Sequence, residues 1–352
     1  MTVFLITMMS WFTLMIIGFP IYLSLGLVST GALIILNESL IIIPQKMFAS
    51  INSFVLLSVP LFILAGEFMN TGGITKRIIN FSRSLVGHIH GGLGQVNVGA
   101  NLIITGISGV ALAEAAGIGK ILIPSMVKDG YPRVFAGCLT ATASTLGPLI
   151  PPSVPLILYA VVAQASSGKM LLGGFAPGIL TALVLMIYVY LYAKKQKKIK
   201  KTIFRVSNVV KEFKTSFFAL MSPFIIFYGL FAGVFVATEA AAALVLYVFI
   251  VSKFIYKEIN WDDLPSVFTN TAILTSKIAI ILCTAGIYNY LLTVQGVPQT
   301  IGEYVVNLTS NPSLFLIVFG LLVVLLGCFL DGLAIMFLLV PIFLPIAVTL
   351  GI

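Results

Sequence analysis

The sequence predicts an all-α polytopic membrane protein, an inverted repeat carrying two re-entrant helical hairpins, on three observations. The first is composition: 59% of the 352 residues are hydrophobic and 9% are charged, against roughly 25% charged in soluble domains. The second is a break, Thr145-Leu-Gly-Pro-Leu-Ile-Pro-Pro-Ser153, between two apolar runs that read as helix, 131–144 and 154–165. The third is a series of small-residue landmarks that recur 220 to 224 residues apart.

Composition leaves room for about ten crossings or re-entrant pieces at roughly 20 residues each. Met1–Leu36 reads as membrane helix interrupted at Gly18-Phe-Pro20. It is too long and too apolar for a cleaved signal and ends on no small-residue cleavage site. The net charge of +9 is concentrated: Lys194–Lys214 holds eight Lys, Arg205 and one Glu. In a loop between membrane segments such a run marks the cytoplasmic side, so no nucleic-acid partner is expected. Cys138, Cys283 and Cys328 stand singly in apolar runs and read as packing residues. His88 and His90 have no carboxylate or cysteine cluster beside them, and CxxC, HExxH, P-loop and GxSxG patterns are absent. A membrane-embedded enzyme would need clustered His, Asp or Glu; the eleven acids are scattered, so no catalytic residue is assigned.

The repeat rests on four matches in order. Ala65-Gly66 recurs as Ala285-Gly286, Gly72-Gly73-Ile74 as Gly296-Val297-Pro298, Ser108-Gly109 as Asp331-Gly332, and Pro124 as Pro345. Charge orients the halves. Arg83, His88, Lys128 and Arg133 put the flanks of 91–128 in the cytoplasm; the chain goes out through 131–165 and returns through 170–193 to the basic loop. Lys253, Lys257 and Trp261-Asp-Asp263 suggest a cytoplasmic amphipathic arm before the outward helix 270–294. From Ala279 onward there is no Lys or Arg, so the flanks of 312–348 are periplasmic. The same motif entering from opposite sides is the mark of a transporter. On this register the chain ends where the second copy reaches the Gly130-Tyr131 position. A truncated C-terminus is therefore expected, with about 60–80 further residues carrying a second proline-rich break.

Three prolines and a glycine in nine residues cannot remain helical. Carbonyls freed at membrane depth cost several kcal/mol each unless something binds them. The segment Gly92–Met126 has a small, polar centre, Thr105-Gly-Ile-Ser-Gly109, and arms short for a full crossing. It reads as a hairpin with its tip at Ser108-Gly109. The second tip is Gly327-Cys-Phe-Leu-Asp-Gly332, between arms 313–326 and 333–349. The alternative for each tip is a small-residue helix-packing seam. Sodium wants about five or six oxygens, which helix ends and unwound backbone supply without burying a full charge. The candidate cage is Thr105 and Ser108 with the carbonyls of Gly147, Ile150 and Pro152. Asp331, an intramembrane carboxylate, is a functional candidate by default; Glu114 is similar or faces water. Gly109, Pro151, Ser153 and Gly332 complete the set proposed to shape the tips or touch substrate. Glu239 is a helix cap or a site residue.

The motifs Ser108-Gly109…Ala113-Glu-Ala-Ala-Gly117, Pro124-Ser-Met126…Gly130-Tyr131, Leu146–Ser153 and Thr238-Glu-Ala240, in this order, resemble the large membrane (M) subunit of a TRAP (tripartite ATP-independent periplasmic) transporter, from about Phe4 to Ile352. The resemblance implies an elevator-type fold of the ion-transporter superfamily. It implies sodium-coupled import of an organic acid anion, such as a C4-dicarboxylate or sialic acid, across the bacterial inner membrane. The implied partners are a small membrane (Q) subunit, a periplasmic substrate-binding (P) protein and membrane lipid; Na+ is the coupling ion, and no organic cofactor is implied. It also places sodium at the first tip and break and a second sodium near Gly327. The family commonly has Ser-Gly-Ser at the first tip, where this chain has Val110 in place of the second serine.

Four segments follow: 1–90, N-terminal scaffold helices and an arm; 91–168, the first hairpin and broken helix; 169–269, scaffold helices with the basic loop 194–214; and 270–352, a connecting helix and the second hairpin. The alternative function is a stand-alone sodium- or proton-coupled carboxylate transporter needing no binding protein. No arginine lies in the predicted core block, so an anionic substrate would be held by helix N-termini and backbone donors.

Overall fold

The computed structural model describes residues 2–108, 111–196, 205–308, 311–328, 330 and 332–352. Among them every regular element is helical. The N-terminal run forms α1 (Thr2–Ile16) and α2 (Ile21–Ile35), parted where Gly18 takes φ +97°. Next come α3 (Ile42–Ile51), α4 (Ser58–Thr71), α5 (Ile74–Val86), α6 (Gly92–Ser108) and α7 (Ala111–Lys128). α8 (Arg133–Ser144) and α9 (Val154–Val162) flank the proline-rich break, followed by α10 (Ser167–Lys195), α11 (Val206–Phe231) and α12 (Ala237–Ile250). The chain closes with α13 (Leu264–Val294), α14 (Val297–Leu308), α15 (Pro312–Gly327) and α16 (Gly332–Thr349). Among the described residues, six stretches are long and apolar enough to cross a bilayer: Phe54–Thr71, Ser167–Lys195, Val206–Leu230, Ala237–Ile255, Trp261–Val294 and Gly332–Thr349. This is a multi-pass membrane protein.

Helix boundaries recur at the spacing of about 220 residues that the sequence landmarks have. α4 ends at Thr71 and α13 at Val294; α5 begins at Ile74 and α14 at Val297; α7 begins at Ala111 and α16 at Gly332. Lengths follow suit: 13 and 12 residues for α5 and α14, 17 and 16 for α6 and α15, 18 and 18 for α7 and α16. The turn into each short arm uses a left-handed glycine, Gly73 at φ +72° and Gly296 at φ +61°, a conformation a Cβ disfavours.

The segment expected as an amphipathic arm, Lys253–Asp263, holds a π-helical turn, Val251–Ile255, and a single 3-10 turn, Trp261–Asp263, leading straight into α13. Local bonding sets this: the Asp263 carboxylate accepts the Asn260 N–H at 2.8 Å, and the Lys253 ammonium sits 4.5 Å from the Trp261 ring centroid.

The chain forms two compact units. One holds Phe54–Ala160 and Ser166–Thr275. In it α4 packs on α12 through small and apolar residues, and Gly72 lies where a Cβ would collide with Ser252. α5 packs on α11 beside an ion pair, Arg77 to Glu258 at 2.6 Å, with the guanidinium 3.7 Å from the Tyr256 ring centroid. The other unit holds Met1–Ser53, Val161–Ala165 and Ser276–Ile352. Its core joins Trp11 and Leu25 to Tyr288, Leu292, Val297 and Leu338. Gly286 of α13 meets Lys46 and Ser50 of α3, close enough that any side chain would clash.

Candidate functional site

The break behaves as proline chemistry dictates. α8 stops at Ser144, and the next amides reach back three residues, Thr145 N–H to Thr142 and Leu146 N–H to Ala143. Prolines at 148, 151 and 152 bring no N–H. Among the described residues, no donor meets the carbonyls of Gly147, Ile150 or Pro152. These are the three that sequence reasoning assigned to the ion. Pro151, Pro152 and Ser153 are buried, and the Pro151–Pro152 peptide is cis. Ser153 bonds locally. Its hydroxyl accepts the Leu156 N–H at 3.3 Å, capping α9, and donates to the Pro148 carbonyl at 2.7 Å.

Two glycines of α10 clasp the break. A Cβ on Gly174 would strike the Leu149 carbonyl oxygen, and one on Gly178 would strike the Ile150 side chain. They stand four apart in Gly174-Phe-Ala-Pro-Gly178, the spacing that lets backbones approach closely in membranes. Sequence reasoning passed over this pattern, though the spacing was there to read.

α6 lies against both α7 and α8. A fully buried polar ladder joins it to α8. Asn97 Nδ2 donates to Thr140 Oγ1 at 2.7 Å, and Asn101 Nδ2 donates to Asn97 Oδ1 at 2.9 Å. Ser144 Oγ donates to Asn101 Oδ1 at 3.4 Å and to the Thr140 carbonyl at 2.8 Å. Sequence reasoning missed these side chains as well. The signal was polar residues spaced by four, Asn97 and Asn101 on one helix and Thr140 and Ser144 on the other.

The remaining site residues fall variously. Thr105 and Ser108 lie on the last turns of α6 and Glu114 on the first turn of α7; their side chains are outside what the structure describes. Gly109, Val110 and Asp331 lie outside the described residues. Gly327 closes α15 and Gly332 opens α16, on either side of the expected second tip. Glu239 is a cap: its carboxylate accepts the Val236 N–H at 3.0 Å ahead of α12. Cys138, on α8, and Cys328, just past the end of α15, are exposed rather than packed. Among the described residues, no cluster of His, Cys, Asp and Glu could hold a metal ion.

The profile of the family described as tripartite ATP-independent periplasmic transporter, DctM component, matches residues 8–352. The chain belongs to this family. A DctM component is a transporter permease and not an enzyme. The sialic acid TRAP transporter large permease protein SiaM of Vibrio cholerae is 38% identical over 343 residues, 97% of this chain and 80% of that protein. The C4-dicarboxylate TRAP transporter large permease protein DctM of Pseudomonas aeruginosa is 36% identical over 94% of this chain and 77% of its own length. The sialic acid TRAP transporter permease protein SiaT of Haemophilus influenzae is 36% identical over 99% of this chain, which spans 56% of that protein.

Proposed function

We propose that this DctM-family chain is the membrane permease of a sodium-coupled, binding-protein-dependent secondary importer of an organic acid anion. The observation that carries the reading is that, among the described residues, no donor meets the carbonyls of Gly147, Ile150 and Pro152. Desolvated carbonyls without donors are costly, and a sodium ion among them removes that cost while leaving its own charge shared over neutral dipoles. Thr105 and Ser108 complete the cage from the α6 end. The second ion lies near Gly327, where α15 ends.

In this reading α6–α7 and α15–α16 are re-entrant hairpins. Transport follows an elevator mechanism, and Glu114, Pro151 and Ser153 border the substrate. An ion bound at tip and break fixes the hairpin against the broken helix, so the carboxylate substrate meets helix N-terminal amides already in place. The chain works in the bacterial inner membrane with a small Q subunit and a periplasmic binding protein. The name of one relative, the isethionate TRAP transporter permease protein DctMQ of Oleidesulfovibrio alaskensis, joins the M and Q letters, and it is 34% identical to this chain. The substrates named for the relatives, sialic acid, C4-dicarboxylates and isethionate, are all acids ionised at neutral pH, which supports an anionic substrate.

The test is uptake into proteoliposomes holding the chain, its small subunit and the binding protein. Uptake is expected to need sodium and the binding protein. Ser108→Ala and Pro152→Ala should each raise the sodium concentration for half-maximal uptake. Uptake that persists without the binding protein makes the chain a stand-alone transporter. Uptake indifferent to sodium removes the ion site.

A further inference from the structure

The ladder between α6 and α8 has a direction. Asn101 Nδ2 faces two acceptors, the Asn97 carbonyl at 2.8 Å and Asn97 Oδ1 at 2.9 Å. This fixes its amide, so Oδ1 turns to the Ser144 hydroxyl. Asn97 Nδ2 in turn meets Thr140 Oγ1, whose own proton goes to the Ala136 carbonyl at 2.8 Å. Protons thus point one way from Asn101 to Asn97, Asn97 to Thr140 and Thr140 to Ala136, while Ser144 shares its one proton between the Thr140 carbonyl at 2.8 Å and Asn101 Oδ1 at 3.4 Å. A chain of this kind is self-reinforcing, and in a low-dielectric interior it tolerates no missing member. All four side chains are at most 1% exposed.

Its ends are informative. Ser144 is the last residue of α8, and its carbonyl accepts the Gly147 N–H at 3.2 Å. One serine therefore touches both the ladder and Gly147 of the break. On α6, Asn97, Asn101, Thr105 and Ser108 recur at steps of four, four and three, which is one side of a helix by backbone register. The ladder occupies the lower half of that stripe.

We propose that this ladder is the spacer that sets the end of α6 at a fixed distance from the 145–153 break, which makes Asn101 and Ser144 positioning residues for the coupling cation. The inference rests on the tip-and-break ion site above and adds residues that do not touch the ion. Neither helix end can move toward or away from the ion without breaking a buried hydrogen bond. Selectivity for an ion of one size then follows from rigidity held one layer back, as outer-shell partners hold metal ligands elsewhere.

The test compares sodium-dependent thermal stabilisation of the purified chain in sodium chloride and in choline chloride, alongside uptake. Ser144→Ala and Asn101→Ala should raise the sodium midpoint about tenfold, the lower end of what outer-shell changes cost a bound metal, while maximal uptake at saturating sodium changes little. Ser144→Thr, which keeps the hydroxyl, should return the midpoint toward that of the unaltered chain. Gln95→Ala is the control: Gln95 is likewise buried on α6 but donates to the Met186 carbonyl of α10 at 2.8 Å, so its midpoint should not move. Midpoints unchanged in Ser144→Ala and Asn101→Ala overturn the inference and leave the ion site standing. An equal shift in Gln95→Ala also overturns it, by making the effect one of general stability. An unaltered chain with no sodium response overturns the ion site itself and the inference with it.

Discussion

The two helix–break–helix pairs share lengths and order but not chemistry. α6 carries Gln95, Asn97 and Asn101, all buried and bonded to neighbouring helices. α15 is apolar from Leu314 to Leu326, buries only Phe315, and leaves Ile317, Leu321 and Val324 facing outward. α7 has one interior proline, Pro124, whereas α16 has two, Pro341 and Pro345. Helices of matching length thus carry different chemistry. On α6, polar side chains lock the register against neighbouring helices, because each donor finds an acceptor. α15 has no polar side chain from Leu314 to Leu326, so packing alone must serve there.

The largest expected effect separates close approach from open space. Gly174→Leu puts a side chain into the Leu149 carbonyl, whereas Gly320→Leu on α15 meets nothing within 4 Å. We expect Gly174→Leu to cost about 3 kcal/mol or to abolish monodisperse protein, as overpacking does, and Gly320→Leu to stay within about 0.5 kcal/mol. Thermal unfolding in detergent measures both, and equal losses would erase the comparison. Next is the ladder: Asn97→Leu leaves the Asn101 amide short of a partner and should cost about 1–3 kcal/mol. Ile317→Leu on the outward face of α15 should change stability by less than about 0.5 kcal/mol.

The smaller effects lie outside the helix pairs. Arg77 and Glu258 are partly exposed, so Glu258→Gln should cost no more than about 1 kcal/mol, falling further in high salt. The smallest is a pH effect at Tyr256, just past the π-helical turn. Burial is the main cause holding its phenol above the ordinary value; the Ala219 N–H and the Arg77 cation pull the other way. A raised pKa means the folded chain keeps its proton longer. The contribution is therefore whole below about pH 10 and is lost as pH rises through the folded value. In thermal melts, Tyr256→Phe should run parallel to the unaltered chain from about pH 6 to 9 and converge with it only in stronger alkali.

Much of the site was readable in the chain. Three prolines in Thr145–Ser153 guarantee unpaired carbonyls wherever that segment lies, because proline has no N–H to give. Helix lengths, the left-handed glycines at 73 and 296 and the spacing of about 220 residues between the halves follow from local sequence for the same reason: each depends on near neighbours. The hydrophobic fraction alone decided that the chain is a membrane protein. What local rules do not reach is which side chain meets which. The pairing of Asn97 with Thr140, the closing of the break by Gly174 and Gly178, and the use of Ser153 and Glu239 as caps depend on contacts between residues far apart or on which of two equally polar roles a side chain takes. Composition and breaks are properties of the chain; the choice of partner belongs to the folded molecule, where a buried donor must find the one acceptor within reach.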